Sequence, residues 1–106
     1  MHRFLFVDDR MDTLTSMQVF RLVAELKSFA AAGRRLDISP AMVSKHVVHL
    51  EQRLGTRLLN RTSRHVSLTE TGALYFEQSR QMLDALDEVE SAITKARVVP
   101  LSLIHI

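Results

Sequence analysis

Cysteine is missing from all 106 residues, so neither a disulfide framework nor a thiolate metal site is available. That absence fits a reducing compartment. No apolar run comes near the length of a membrane span. The opening segment MHRFLFVDDR has too short an apolar stretch for a signal peptide and no small-residue cleavage site. No metalloprotease pair, phosphate-cradling glycine loop or nucleophile elbow occurs, and repeats and low-complexity stretches are missing too. No enzyme is expected.

What remains is ordinary in amount and uneven in arrangement. A hydrophobic share of 46% with 25% charged residues supports one compact domain with an appended helix. The net charge of +2 hides a segregation. Arg34, Arg35, Lys45, Arg53, Arg57, Arg61 and Arg64 stand against only Asp37 and Glu51 in the middle of the chain. From Glu70 to Ala96 six acids face Arg80 and Lys95. A basic middle beside an acidic helix suits a polyanion; a solvated charged surface is the plainer alternative.

The spacing of apolar residues predicts four helices and a hairpin. Thr15 to Gln18 reads as a capping box, with Met17, Phe20, Val23 and Ala24 at helical spacing behind it, so a first helix is expected from Ser16 to about Leu26. Ser28 caps a second helix with Phe29, Ala32 and Leu36 on one face. After a brief turn, Ser39 caps a third, Pro40 takes its first position, and Gly55 stops it. Ile38 and Val43 form a hydrophobic staple there. On this helix Val43, Val47, Leu50 and Leu54 share a core face, whereas Ala41, Ser44, Lys45 and Val48 share the other. Residues 57–60 and 65–68 read as an antiparallel hairpin around the tip RTSR (61–64). Thr69 caps a long helix from about Glu70 to Arg97, carrying Tyr75, Met82, Leu86, Val89, Ile93 and Ala96 in a short coiled-coil seam. Self-packing suffices for the early part of that stripe; a partner helix is the simpler cover for the rest. Pro100 ends the helix.

Helix, helix, turn, helix, basic hairpin, long helix is the order of a winged helix-turn-helix, so the expected class is mainly α with a two-stranded wing. Residues 11–97 resemble the N-terminal DNA-binding region of LysR-type transcriptional regulators. The resemblance is carried by S-x-A-A, L-x-I-S-x-x-x-V-S, L-E-x-x-L-G-x-x-L-L-x-R and L-T-x-x-G, all in order within MQVFRLVAELKSFAAAGRRLDISPAMVSKHVVHLEQRLGTRLLNR and VSLTETG. It divides the chain into an N-terminal extension (1–10), a winged helix-turn-helix (11–69, with the helix-turn-helix about 28–47 and the wing about 57–68), a dimerisation linker helix (70–97) and a tail (98–106) with no effector domain behind it. Two departures stand out. The family commonly carries Arg-Gln after the serine of its third helix, where this chain has Lys45 and His46. The family also starts about where Met11 stands, which makes the first ten residues an extension or an upstream mis-start.

The resemblance implies a sequence-specific reader of double-stranded DNA, acting as a homodimer on an inverted repeat in the bacterial cytoplasm, at the nucleoid. Small residues at the head of the third helix let its backbone enter the major groove. Ser39, Pro40 and Ala41 then approach the groove, with Ser39 also in reach of a phosphate, and Ser44 and Lys45 face base edges. His46 is a weaker candidate in the place of the usual glutamine. Arg61, Thr62, Ser63 and Arg64 form the wing, and by resemblance Arg64 enters the minor groove. Arg61 has a second option, bracing the fold against Glu51. Arg34 and Arg35 either touch phosphate or simply complement the helix dipole. The dimer interface is expected at Tyr75, Met82, Leu86, Val89 and Ile93. His46 and His49 lack a third ligand, so no metal is expected and both are read as solvent-facing. No cofactor is expected in this chain; the family's small-molecule inducer belongs to the missing effector domain. RNA polymerase is an open partner for which no residue argues. The competing reading is a winged-helix protein-interaction module working through its acidic coiled-coil helix.

Overall fold

The computed structural model describes residues 11–62 and 65–98. The order is α1 (Thr13–Leu26), α2 (Phe29–Leu36), α3 (Pro40–Leu54), β1 (Leu59–Arg61), β2 (Val66–Leu68) and α4 (Glu70–Val98). This is the expected winged helix-turn-helix: four helices plus a two-stranded antiparallel wing. The expected extension at 1–10 and the tail beyond residue 98 lie outside the described residues.

The helices start where side-chain oxygens meet orphan N–H groups. Ser28 accepts from the Ala31 N–H and Ser39 from the Met42 N–H, as expected. The first helix departs from expectation. It begins at Thr13, three residues before the predicted start, because Asp12 accepts from the Leu14 N–H and takes the hydroxyl of Thr15 at 2.7 Å. Asp competes well as an N-cap, and the earlier start places Thr15 inside the helix. Left-handed residues end each of the first three helices: Lys27, Asp37 and Gly55. Only Lys27 and Ser28 separate α1 from α2, so the pair turns sharply.

The core gathers Phe20 and Val23 from α1, Ala32 from α2, Val43, Val47 and Leu50 from α3, Leu58 and Leu59 from the wing, and Leu83 from α4. Two expected core residues stay out of it. Leu36 is 37% exposed and Leu54 is 42% exposed. Both close their helices, where the chain turns away before a neighbour covers them. The strands are shorter than predicted, three residues each, in the register Leu59 to Leu68 and Arg61 to Val66. Residues 57 and 58 are held instead by Glu51 and the α4 cap: Leu58 N–H donates to Glu51 Oε2, and Thr69 Oγ1 donates to Arg57 O.

Thr69 caps α4 as expected, accepting from the Gly72 N–H at 2.9 Å. Gly72 is needed there because a Cβ would stand 1.9 Å from the Leu58 carbonyl oxygen. The L-T-x-x-G piece is thus the joint where the wing meets α4. The first half of α4 then lies against α1. Tyr75, expected in the dimer seam, turns into this joint instead, its ring centroid 5.6 Å from that of Phe20. Leu83 is buried nearby, and Arg21 Nη1 meets Asp84 Oδ1 at 3.0 Å. On the side of α4 turned away from this joint Met82 is more than half exposed, and beyond the joint so are Val89 and Ile93. A 29-residue helix is roughly 43 Å long, which accounts for the 60 × 33 × 26 Å outline. None of the described helices is long and apolar enough to cross a membrane.

Candidate nucleic-acid interface

The head of α3 is presented outward. Ser39, Pro40, Ala41 and Lys45 are exposed and Ser44 is half-buried, while Val43, Val47 and Leu50 on the opposite side are fully buried. The helix owes this posture to its cap and to Ile38, which packs on the core one residue before Ser39. Small side chains therefore occupy the part of the helix that stands proud of the domain.

Beside this head runs an open cleft of about 570 Å3. Pro40, Ala41 and Ser44 form one wall; Arg61 and Thr62 of the wing form the other. The start of α2 closes it with Lys27, Ser28 and Phe29. Lys45 and Ser44 also line a second cleft with Met42 and Gln52 on the far side of the helix. Lys27, Ser28, His65 and Gln52 were not among the expected site residues. Ser28 and Lys27 carried a usable signal, a cap and a cation at the same helix start. Nothing in the spacing pointed to Gln52.

Arg61 ties the site together. Its Nη2 lies 3.5 Å from Glu51 Oε1, its Nη1 lies 3.3 Å from Ser44 Oγ, and its guanidinium carbon sits 4.9 Å from the centroid of the Phe29 ring. One side chain thus joins the wing to both α2 and α3. Glu51 is the buried anchor of this arrangement. It also accepts from the backbone N–H groups of Leu58 and Leu59, at 2.8 and 3.3 Å, with Arg57 Nε 3.7 Å away. The hairpin tip is closed by Thr62, whose hydroxyl donates to His65 O and accepts from the His65 N–H, both at 3.1 Å. Ser63 and Arg64 lie outside the described residues.

His46 is not where the sequence reading put it. Its ring is buried against α1, with Nδ1 2.8 Å from Ser16 Oγ, so it faces neither solvent nor groove. Burial pushes its pKa below the ordinary histidine value, and the neighbouring His49 adds to this while Asp12 opposes it. The reason lies in helical geometry: His46 falls between Val43 and Leu50, three residues from one and four from the other, on the edge that meets α1. His49 is half-buried, 3.3 Å from Thr13 Oγ1. Arg34 and Arg35 are exposed in the last turn of α2, where cations complement the carbonyl end of a helix.

Comparison with known proteins bears on the same residues. The model of the bacterial regulatory helix-turn-helix proteins of the lysR family matches residues 14–73. A transcriptional repressor of Pseudomonas aeruginosa is 38% identical over 96 residues, which cover 91% of this chain and 30% of that protein. The transcriptional regulator DmlR of Escherichia coli is 38% identical over 93 residues, 88% of this chain and 30% of that protein. The chain thus spans about three-tenths of the length of these relatives, which are regulators rather than enzymes. Among solved structures, the BenM DBD in complex with catB site 1 DNA superposes with a TM-score of 0.76 at 29% identity, covering 80% of this chain and 94% of that one. The CbnR DBD in complex with DNA gives 0.72 at 30% identity, covering 79% and 97%.

Proposed function

From the chain's membership of the lysR family of bacterial regulatory helix-turn-helix proteins, whose DNA-binding domain it carries, we propose that it reads double-stranded DNA sequence as a homodimer. In this reading the head of α3 enters the major groove: Pro40 and Ala41 allow close approach, Ser39 reaches a phosphate, and Ser44 and Lys45 meet base edges. Lysine offers one charge without a planar fork, so Lys45 reads less sharply than an arginine would. The wing carries Arg61 and Thr62 alongside, and the family resemblance assigns Ser63 to the wing and Arg64 to the adjoining minor groove. Arg34 and Arg35 add phosphate contacts. His46 has no part in contact; it holds α3 against α1.

The dimer is assigned to Met82, Leu86, Val89 and Ile93, of which Met82, Val89 and Ile93 are exposed and Leu86 is half-buried. Two modules joined there present two α3 heads and therefore suit an inverted repeat. DNA as partner puts the protein at the bacterial nucleoid, in the cytoplasm. The domain scheme follows: reading head to residue 69, linker helix from residue 70.

One observation carries the proposal. The exposed small-residue head of α3 and the arginine-bearing wing share the walls of one cleft. The test is selection of bound duplexes from a random pool, followed by binding at stepped salt. The expected result is an enriched inverted repeat whose affinity falls steeply with salt. Ser44→Ala and Lys45→Ala should change which sequences are enriched, whereas Arg34→Ala should weaken all of them evenly. Enrichment that ignores both α3 substitutions would sink the assignment.

A further inference from the structure

The contact between Arg61 and Ser44 has a direction. Arginine has five N–H donors and no acceptor, and it stays charged at any pH a protein survives. Ser44 Oγ, 3.3 Å from Arg61 Nη1, is therefore the acceptor. A hydroxyl has one hydrogen and two lone pairs. With a lone pair turned to a cation, the hydrogen points away from it, and its strength as a donor is raised by polarisation. A helical serine can otherwise turn that hydrogen onto the carbonyl four residues back. Ser79 does so, donating to Tyr75 O at 2.6 Å. Among the described residues, the Ser44 hydroxyl hydrogen meets no acceptor. Ser44 lines both clefts flanking the head of α3, so its hydrogen is left toward the surface that faces a ligand.

Arg61 itself is not free to leave. Glu51 and the Phe29 ring hold its guanidinium from two other sides. We propose that Arg61 is a positioning residue that occupies one lone pair of the Ser44 hydroxyl and biases it toward donating, so that the base pair beneath Ser44 is selected for an acceptor edge. This rests on the DNA-binding reading above. In the major groove the acceptors are purine N7, guanine O6 and thymine O4, while the amino groups of cytosine and adenine are donors and are disfavoured. A serine free to rotate would accept from those amino groups as readily as it donates, and would discriminate little.

The experiment uses the 106-residue chain and the duplex it selects. Each base pair of a half-site is replaced in turn by an analogue lacking N7, O6 or O4, and binding is measured for the wild type and Ser44→Ala. The expected result is one position where deleting the acceptor weakens the wild type about tenfold and leaves Ser44→Ala unaffected. Arg61→Met, checked for folding by thermal unfolding, should lose that sensitivity at the same position while still binding. Should Arg61→Met fail to fold, Arg61→Gln serves, since its neutral amide offers Ser44 both a donor and an acceptor and no longer fixes the role of the hydroxyl. The inference is overturned if no single acceptor matters, or if Ser44→Ala weakens all sequences evenly, which would assign its hydroxyl to phosphate. It is overturned equally if the folded Arg61 variant discriminates as the wild type does. A wild type that enriches no sequence at all would instead bring down the DNA-binding reading itself.

Discussion

Glu51 and His46 are two buried polar residues that fasten α3, one to the wing and one to α1. Glu51 is a buried carboxylate that takes two backbone N–H groups and two arginines. Glu51→Ala leaves those N–H groups without a partner and should destabilise the domain by about 2–4 kcal/mol in urea unfolding. Glu51→Gln keeps one oxygen for the Leu58 N–H and should lose less; equal losses would show that the backbone bonds are not what Glu51 contributes. His46 fails differently. Its folded pKa lies below the ordinary 6.5 because burial disfavours the imidazolium, and Asp12 only partly offsets this. The unfolded chain therefore binds more protons between the two values, and stability rises with pH across that window. It is complete above 6.5 and falls as pH drops through 6.5 toward the folded value. The thermal midpoint should decline from about pH 7.5 to about pH 5.5, and His46→Gln should flatten the decline. A slope unchanged in that variant would assign it elsewhere.

At the scale of elements, α4 performs two tasks along one length. Its first half is a wall of the domain: Leu83 is buried, Tyr75 meets Phe20, and Asp84 meets Arg21. Its second half shows Val89 and Ile93 to solvent, on the face where Met82 is already exposed. Leu83→Ala should remove about 2–4 kcal/mol of stability without changing the association state seen in sedimentation velocity. Ile93→Glu should do the reverse, dissociating the proposed dimer while leaving the thermal midpoint of the head in place. This division was half legible in the sequence. The heptad spacing marked the apolar stripe, yet Tyr75 satisfies the same spacing and still belongs to the domain, because periodicity records which residues are apolar and not which neighbour arrives. The helix caps at Ser28, Ser39 and Thr69 were readable since each is a local bond between a hydroxyl and an N–H two or three residues on. His46 was misread for the opposite reason: a histidine fits a surface and a core edge equally well, and its partner Ser16 lies 30 residues away. The Arg61 node was readable only as far as Glu51; Ser44 and Phe29 come to it through folding.

For the whole molecule, charge and shape act together. Arg34, Arg35, Lys45, Arg53, Arg57 and Arg61 lie on the α2, α3 and wing side, six acids lie along α4 beside Arg80, Lys95 and Arg97, and the body extends over 60 Å. In the proposed complex, acids along α4 keep it from lying down on DNA, and the α3 and wing side alone is drawn to the duplex. In the dimer proposed here, each head binds weakly and the pair binds strongly, because the second head meets its half-site at the high effective concentration set by the first. The wild type should therefore prefer a full inverted repeat over a single half-site by at least ~100-fold. Ile93→Glu should bind the two duplexes with nearly equal affinity, close to that of wild type for the half-site. Inserting about five base pairs between half-sites turns one head to the opposite face of the duplex and should abolish the wild-type advantage, whereas about ten restores the facing. The stiffness of a single helix from Glu70 to Val98 is what makes this periodicity sharp. A wild type indifferent to the five-pair insertion would mean that the heads are independently hinged, and that α4 tethers them without fixing their spacing.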